Sequence, residues 1–473
     1  MKLFGWSGNK FKLLNISILK VKCKKDKLCF YLFGLPVFCK KDVFLDLVER
    51  VKQNKDFDTR HFDSEIAALA PEATSVSASV NNKRIAYLVT ELYDTGGHSK
   101  CIREYVSILA DVYDQCLFFT QKDRSVRGAP QCWNELEQKA LVEGENLSAF
   151  LMRKRVKSLF KKIVRFNPKV LFVYIHPDDV GGTMVLSMLK KYTNIKLMYC
   201  PHASHFPNLG ISFADITLEA LPTTMYLTQK YRHFDNTVYL PMLSKKCEDF
   251  PVFLPECISL KRKEIGIKDG YLCTMSGASS YKFFDGNKSE YFEMIKTLLE
   301  RNTNLIHVIL ADNKKNNKEV IDGIFANSNA KDRLILLPFT DDYELVFKCA
   351  DVFVDSFPVS SALTMIDLMR LKVPYVVKIN RENAHWSFHE YQSADYPYMF
   401  EKADDLLKGV EKLLSDKIER ARIIEANFNH YMNTFEGNSV KKRLCDIIDN
   451  AENLERFYSG KIKGDYQFRG LGL

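Results

Sequence analysis

The sequence has no C-x-x-C pair among its 12 cysteines, no stretch of 18 apolar residues, and only one acid, Asp26, in its first 41 positions. Without paired cysteines, neither a zinc site nor a disulfide framework is expected. Several of the thiols sit inside apolar runs such as Cys116-Leu-Phe-Phe and Tyr271-Leu-Cys-Thr-Met, where cysteine behaves as a small hydrophobe, and a reducing cytoplasmic compartment is expected. Without a long apolar run, no helix is expected to span a bilayer, and Lys10, Lys12, Lys20 and Lys22 interrupt any signal-peptide core. The chain also lacks short-period repeats and low-complexity tracts. It has no zinc finger, RNP-type aromatic motif or KH-like loop, so nucleic acid is not an expected partner.

The shortage of acids at the start leaves ten lysines against Asp26 in residues 1–41, while the other 432 residues carry 58 basic and 58 acidic side chains. The whole net charge of +9 is therefore local. Such a cluster suits either a solvated arm or an anionic lipid surface, which attracts each nearby lysine by about 1 kcal/mol. A length of 473 residues exceeds one ordinary core and implies two domains plus an extension.

Residues 18–41 hold two β-like runs, Ile18-Leu-Lys-Val-Lys and Leu28-Cys-Phe-Tyr-Leu, which read as a small basic hairpin. Residues 42–69 read as helical and 71–82 as a linker. From Arg84 onward strands alternate with helices, at 84–90, 116–120, 169–175 and 195–200, and a second set starts at 271 and runs through 305–310, 333–337, 352–355 and 375–378. This βαβ alternation predicts an α/β protein of two Rossmann-like domains facing each other across a cleft, with ligands outside the carboxyl ends of the strands. The expected division is a basic extension at 1–80, an acceptor domain at 81–250, a nucleotide-binding domain at 251–430 and helices with a tail at 431–473 that cross back to the first domain.

Four segments carry residues suited to chemistry. Thr95-Gly-Gly-His-Ser-Lys follows a strand and opens a helix, so Gly96, Gly97 and His98 form either a tight turn or an anion-binding one. Cys200-Pro-His-Ala-Ser-His puts His202 and His205 at a strand's carboxyl end, where an imidazole can take a proton from an acceptor hydroxyl or donate to a phosphate. A metal pair would need a third ligand that the sequence does not identify. Ser276-Gly-Ala-Ser-Ser-Tyr-Lys-Phe offers Ser279 and Lys282 beyond a strand, where Lys282 would neutralise a leaving diphosphate, or else is a plain surface loop. The fourth segment runs from Asp355 to Pro374. It has a strand end, a Ser-rich turn with Ser360 and Ser361, and a helix carrying Thr364 and Asp367 near its start. Hydroxyls and free amides there can cradle phosphate, and a carboxylate so placed can accept both hydroxyls of a ribose. The acidic pairs Asp178-Asp179 and Asp341-Asp342 read as helix-start or loop charges rather than as metal ligands.

The D-S-F-P…D…V-P frame of the fourth segment resembles the nucleotide-binding segment of GT-B glycosyltransferases, closest to the O-GlcNAc transferase-like and adhesin-glycosylating branches. The resemblance covers about residues 84–450 and is strong at 351–376. It implies that Asp367 binds ribose, that Ser360, Ser361 and Thr364 bind the diphosphate, that Lys282 is the basic residue on the pyrophosphate, and that Phe339 frames the base. Gly96, Gly97 and His98 resemble the glycine turn of the acceptor domain. Ala362 and Leu363 stand where the O-GlcNAc branch has His and Thr, no tetratricopeptide-like repeats precede them, and Asp367 replaces the usual Glu of the retaining family. Gly34-Leu-Pro-Val-Phe with its lysines resembles the leaders of bacterial surface-polysaccharide transferases.

The expected activity is therefore transfer of a sugar from a nucleotide diphosphate, UDP favoured, to a bacterial surface glycan such as lipopolysaccharide, O-antigen or capsule. His205 or His202 would be the base, and no metal or other cofactor is expected. The expected location is the cytoplasm, with residues 1–41 on the anionic inner membrane face and a lipid-linked glycan as acceptor. An adhesin-like protein acceptor and a catalytically silent partner subunit are the alternatives, with a nucleotide-sugar epimerase behind them.

Overall fold

The computed structural model describes residues 43–468, except 77–78, 95–96, 148–150, 202, 204–205, 313–314 and 465, together with the backbone of five strands before residue 42. Those strands are β1 (Phe4–Ser7), β2 (Lys10–Leu13), β3 (Ile16–Lys24), β4 (Lys27–Leu32) and β5 (Leu35–Lys41), paired in chain order as an antiparallel sheet. The expected hairpin is thus the middle of a larger meander. The reason is visible in the residues: Lys10-Phe-Lys-Leu alternates with the strand period of two, and Leu35-Pro-Val-Phe supplies a further apolar run that pairs with β4.

The helical stretch expected at 42–69 is broken into two helices, Val43–Gln53 and Arg60–Leu69. Between them, Asn54 Oδ1 accepts the amide of Asp56 at 3.1 Å, Asp56 Oδ1 that of Asp58 at 3.0 Å, and Asp58 Oδ1 that of Arg60 at 3.2 Å. Asx turns of this kind offer the backbone a partner outside the helix and so end it. The helices bury Leu47, Val51, Phe62 and Ile66 against the first large sheet. Asp63 fixes the docking: its carboxylate accepts the Gly210 amide at 2.7 Å and the Ser212 hydroxyl at 2.6 Å.

The first large sheet contains β6 (Asn81–Val89), β7 (Asp114–Phe119), β8 (Leu141–Gly144), β9 (Pro168–Tyr174), β10 (Lys196–Tyr199), β11 (Ile216–Glu219) and β12 (Thr237–Tyr239). They are parallel, in the order β12-β11-β10-β9-β6-β7-β8. The second contains β13 (Leu272–Gly277), β14 (Leu305–Leu310), β15 (Leu334–Leu337), β16 (Val352–Val354), β17 (Tyr375–Lys378) and β18 (Met399–Phe400), also parallel, in the order β15-β14-β13-β16-β17-β18. Near-continuous apolar runs such as Lys169-Val-Leu-Phe-Val-Tyr are what a strand covered on both faces requires. In both sheets the first strand of the domain lies beside the fourth, so strand order reverses there and a crevice opens at the carboxyl ends. The two crevices form the walls of an interdomain cleft.

Helices Ala403–Ser415 and Lys417–Thr434 add Leu406, Val410 and Ile423 to the second core. Helix Gly437–Asp449 instead places Val440, Leu444 and Ile447 in the first. The tail then returns to the junction: Gln467 O accepts the Ala384 amide at 2.9 Å, and Phe468 packs with Phe57, Leu227 and Ala384. Among the described residues no helix is long and apolar enough to cross a membrane.

Burial pushes the Asp63 carboxyl up to about 6. The folded state therefore holds this proton more tightly than the unfolded chain, and the group's contribution to stability declines as pH rises from about 4 through about 6. Asp63→Ala also strands the Gly210 amide and should lower stability by about 2 kcal/mol. In urea denaturation, the gap between wild type and Asp63→Ala should widen as pH falls from 6 to 4. A gap that narrows contradicts this.

Candidate donor site in the interdomain cleft

Strand β16 ends at Val354, and the chain then turns over the carboxylate of Asp355, which is fully buried. Asp355 Oδ1 accepts both the amide of Ser361 at 2.9 Å and its hydroxyl at 2.7 Å. Burial raises the Asp355 pKa, while the Ser360 and Ser361 donors and the Lys282 charge oppose that rise. The Ser360 amide donates to Trp386 O at 2.8 Å, and the Ser356 hydroxyl donates to Val359 O at 2.8 Å. The turn is thus held from both sides. It ends at Ala362, whose φ of 55° lies in the region that favours glycine, and helix Leu363–Arg370 starts there. Such strain persists only where surrounding bonds over-determine the backbone. The Ala362 amide donates to the Ser360 hydroxyl at 3.3 Å, and those of Thr364 and Met365 donate to Ser361 O at 3.4 Å and Ala362 O at 3.0 Å, so it is the positive dipole end of the helix that meets the cleft cavity lined by Ala362 and Leu363.

Lys282 lies on the short helix Ser280–Phe283 that follows β13, across the switch point from β16. Its Nζ donates to Ser360 O at 2.9 Å, and its own carbonyl accepts the Val359 amide at 3.3 Å. Burial lowers its pKa, and the nearby Asp355 charge pulls the other way. Ser279 stands beside it, its carbonyl taking the Lys282 amide at 3.0 Å.

Asp367, one turn into the helix, is buried. Its carboxylate accepts Arg370 Nη2 at 3.0 Å and the Tyr343 hydroxyl at 3.3 Å, and Lys100 Nζ reaches it from the first domain at 3.7 Å. Arg370 also binds Glu344 at 2.7 Å, as does Lys245 at 2.7 Å. Burial opposes ionisation of Glu344, but Lys245 and Arg370 outweigh it and hold the carboxyl below its ordinary range. Three cations against two carboxylates leave this cluster with a positive surplus next to a helix start.

On the facing wall, Gly97 opens helix Gly97–Leu109. A Cβ at Gly97 would lie 3.4 Å from Leu363 Cδ1, so the two helix starts confront each other across the cleft. The His98 ring lies 6.1 Å, centroid to centroid, from both Tyr174 and His176, and burial pushes its pKa down to about 4, leaving it neutral at pH 7. Gly97, His98, Cys200, Pro201, Ala362 and Leu363 line a cavity of about 230 Å³ between the domains.

The structure therefore brings Lys282, Ser279, Ser360, Ser361, Thr364 and Asp367 together, opposite Gly97 and His98. Phe339 is not part of this group: it stands exposed past β15, three strands across the sheet from β16. Gly96, His202 and His205 lie outside the described residues. Asp179 caps helix Val180–Tyr192 through the Gly182 amide at 2.7 Å and binds Thr90 and Thr120, each at 2.6 Å, while Asp342 pairs with Lys261 at 2.7 Å. Asp179 is thus engaged at a helix start and Asp342 in an ion pair. Among the described residues no three His, Cys, Asp or Glu side chains gather in a metal-binding group.

Sequence reasoning passed over Lys100, Arg370, Glu344, Lys245 and His176. Lys100 was within reach, at the end of the glycine motif, and Arg370 lies one turn from Asp367 on the same helix face. His176 lies two residues past the end of β9, where the strand-end rule points, and stands 3.9 Å from Glu91. Glu344 and Lys245 meet only through the tertiary fold and left no local signal.

No protein-family model matches the sequence, and comparison with curated proteins finds no match. Solved structures do match. A glycosyltransferase from Rickettsia africae superimposes with a TM-score of 0.62 at 13% identity, over 79% of this chain and 100% of its own. HepE of Anabaena, in complex with UDP, gives 0.61 at 12% identity over 78% and 100%. The lipopolysaccharide outer core galactosyltransferase WaaB gives 0.55 at 12% identity over 78% and 99%. At such identities the likeness is one of fold: the chain has the GT-B architecture of these glycosyltransferases.

Ala362→Gly should relieve the positive φ and stabilise the protein by about 1 kcal/mol. A raised Tm is the expected result, and a lowered one contradicts the strained turn.

Proposed function

We propose that the chain is a glycosyltransferase that moves a sugar from a UDP-sugar to a bacterial surface glycan, of the lipopolysaccharide, O-antigen or capsule type, on a lipid-linked acceptor. One observation carries the reading: at the strand-order switch, the Ser360–Ala362 turn, the helix start behind it, Lys282 and Asp367 form one continuous receptacle. The positive helix start and the hydroxyls of Ser360, Ser361 and Thr364 suit a diphosphate, and the Asp367 carboxylate suits a ribose diol. UDP in the HepE complex and the galactosyltransferase activity in WaaB's name support the donor and acceptor classes by fold analogy alone.

In this mechanism the bond from the sugar's anomeric carbon to the diphosphate oxygen breaks, and a bond to the acceptor oxygen forms. Lys282 and the helix start take up the charge that develops on the diphosphate, the form of electrostatic stabilisation that counts most in a water-poor cleft. The acceptor proton passes to an imidazole. His205 or His202 is the proposed base, since Cys200 and Pro201 line the cleft and their segment leaves from its wall. Ser279 is assigned to the phosphate side of the donor. The lysines of residues 1–41 would hold the protein on an anionic membrane surface.

Isothermal calorimetry tests the donor reading. UDP should bind more tightly than GDP, ADP or CDP, and Asp367→Ala and Lys282→Met should each weaken it by roughly 10- to 100-fold, the loss of a hydrogen bond to a charged group. Unchanged affinity in both variants contradicts the site. Binding of UDP without turnover of any UDP-sugar would mark a silent partner subunit, and transfer to an adhesin peptide but not to a lipid-linked glycan would move the acceptor to protein.

A further inference from the structure

We infer that a second cavity, beside the donor turn and walled partly by the N-terminal extension, binds the acceptor, and that the acceptor sugar bound there is anionic. The inference rests on the transferase reading above and extends it to the acceptor's chemistry. The cavity measures about 550 Å³ and lies between the helix pair that begins at Val43, the segments following β9 and β10, and the His385–Trp386 segment of the second domain. A volume of that size is within the range of small-molecule sites, roughly 300–1,000 Å³.

Its position ties it to the donor. Trp386, on its wall, accepts the Ser360 amide of the phosphate turn at 2.8 Å. His176, on the opposite wall, lies 6.1 Å by ring centroids from His98, whose neighbour Gly97 faces Leu363 at the donor helix start. A sugar in this cavity is therefore next to the place where the donor's anomeric carbon would be released.

Its surface has the chemistry of a sugar site. Phe206 leaves 51% of its surface exposed and Trp386 is half-buried, so two aromatic rings border one cavity. Pyranose rings carry apolar C–H faces that pack on aromatic rings by dispersion, while their hydroxyls need polar neighbours. Lys52 and Lys55 stand exposed on the rim with no ion pair among the described residues, against one lining carboxylate, Asp178. The rim is thus net positive, and a phosphate or carboxylate on the sugar fits it.

The walls are fixed before any ligand arrives. Phe57 is buried beneath the Arg232 guanidinium at 5.2 Å, and Arg232 in turn holds Phe206 O at 3.1 Å. The Thr59 hydroxyl donates to Asn208 O at 2.9 Å. Such bonding from the extension to the loop after β10 preorganises the pocket and lowers the ordering cost of binding. The extension thereby takes part in acceptor choice as well as in docking.

Saturation-transfer NMR and titration on the full chain, with and without UDP, test this with three probes: glucose 6-phosphate, galacturonate and neutral methyl glucoside. At low salt both anionic sugars should bind at least 3-fold more tightly than the neutral one. The double variant Lys52→Ala, Lys55→Ala should abolish that preference, and Phe206→Ala should weaken all three probes 3-fold or more. UDP affinity should stay within 2-fold in both variants. Preference for glucose 6-phosphate alone assigns the anion as phosphate, and for galacturonate alone as carboxylate. Equal binding of the three probes, or binding unaffected by either variant, overturns the inference. Loss of UDP binding in the wild type, with sugar binding intact, would instead sink the donor reading and leave the sugar site standing.

Discussion

The site depends on a carboxylate that water does not reach. Asp355 is sealed at the end of β16, where burial favours the neutral carboxyl and the serine donors and the Lys282 charge oppose that. Ser361 supplies two donors to one oxygen, and Lys282 supplies the cation while also tying down Ser360 O. Those bonds bend the chain tightly enough to force Ala362 to positive φ and to start a helix pointing into the cleft. Loss of Asp355 would free the turn, and the proposed diphosphate receptacle would lose its shape.

The second constraint is the approach of the two domains. A Cβ at Gly97 would meet Leu363 Cδ1 at an ordinary contact distance of 3.4 Å, and Lys100 crosses the cleft to Asp367. Helix Gly437–Asp449 buries its apolar face in the first core although its predecessors belong to the second, and Phe468 of the tail packs on Leu227 and Ala384 at the junction. Cleft geometry is thus set by covalent crossings and by apolar packing rather than by the exposed ion pairs, which at a surface contribute little. Lys100 and Arg370 hold Asp367 from opposite domains, one by an ion pair at 3.7 Å and the other at 3.0 Å.

Much of this was legible in the residues. The apolar runs at β6, β9, β13 and β14 announced two parallel sheets because a strand covered on both faces must be apolar throughout. The spacing from Asp355 to Asp367 to Pro374 announced the turn and helix. Strands β8, β11, β12 and β18 escaped because they lack the continuous apolar run that marked equally short strands such as β10 and β16, and β11 carries Thr217 and Glu219 inside a buried strand. Glu219 lies beside Arg232, whose charge helps offset its burial, a pairing no local pattern reveals. The break at residues 54–59 escaped because three Asx side chains there compete with the helix for the same amides. Glu344 and Lys245 were illegible for a different reason: their meaning lies in a partner about 100 residues away.

The most direct test of the central claim is a crystal structure of the full chain with UDP. The account predicts the diphosphate on the amides that open helix Leu363–Arg370 and on Lys282 Nζ, with the ribose hydroxyls on Asp367 in place of Lys100. A structure with UDP lodged elsewhere, and with Asp367 still closed on Lys100, Arg370 and Tyr343, would contradict it.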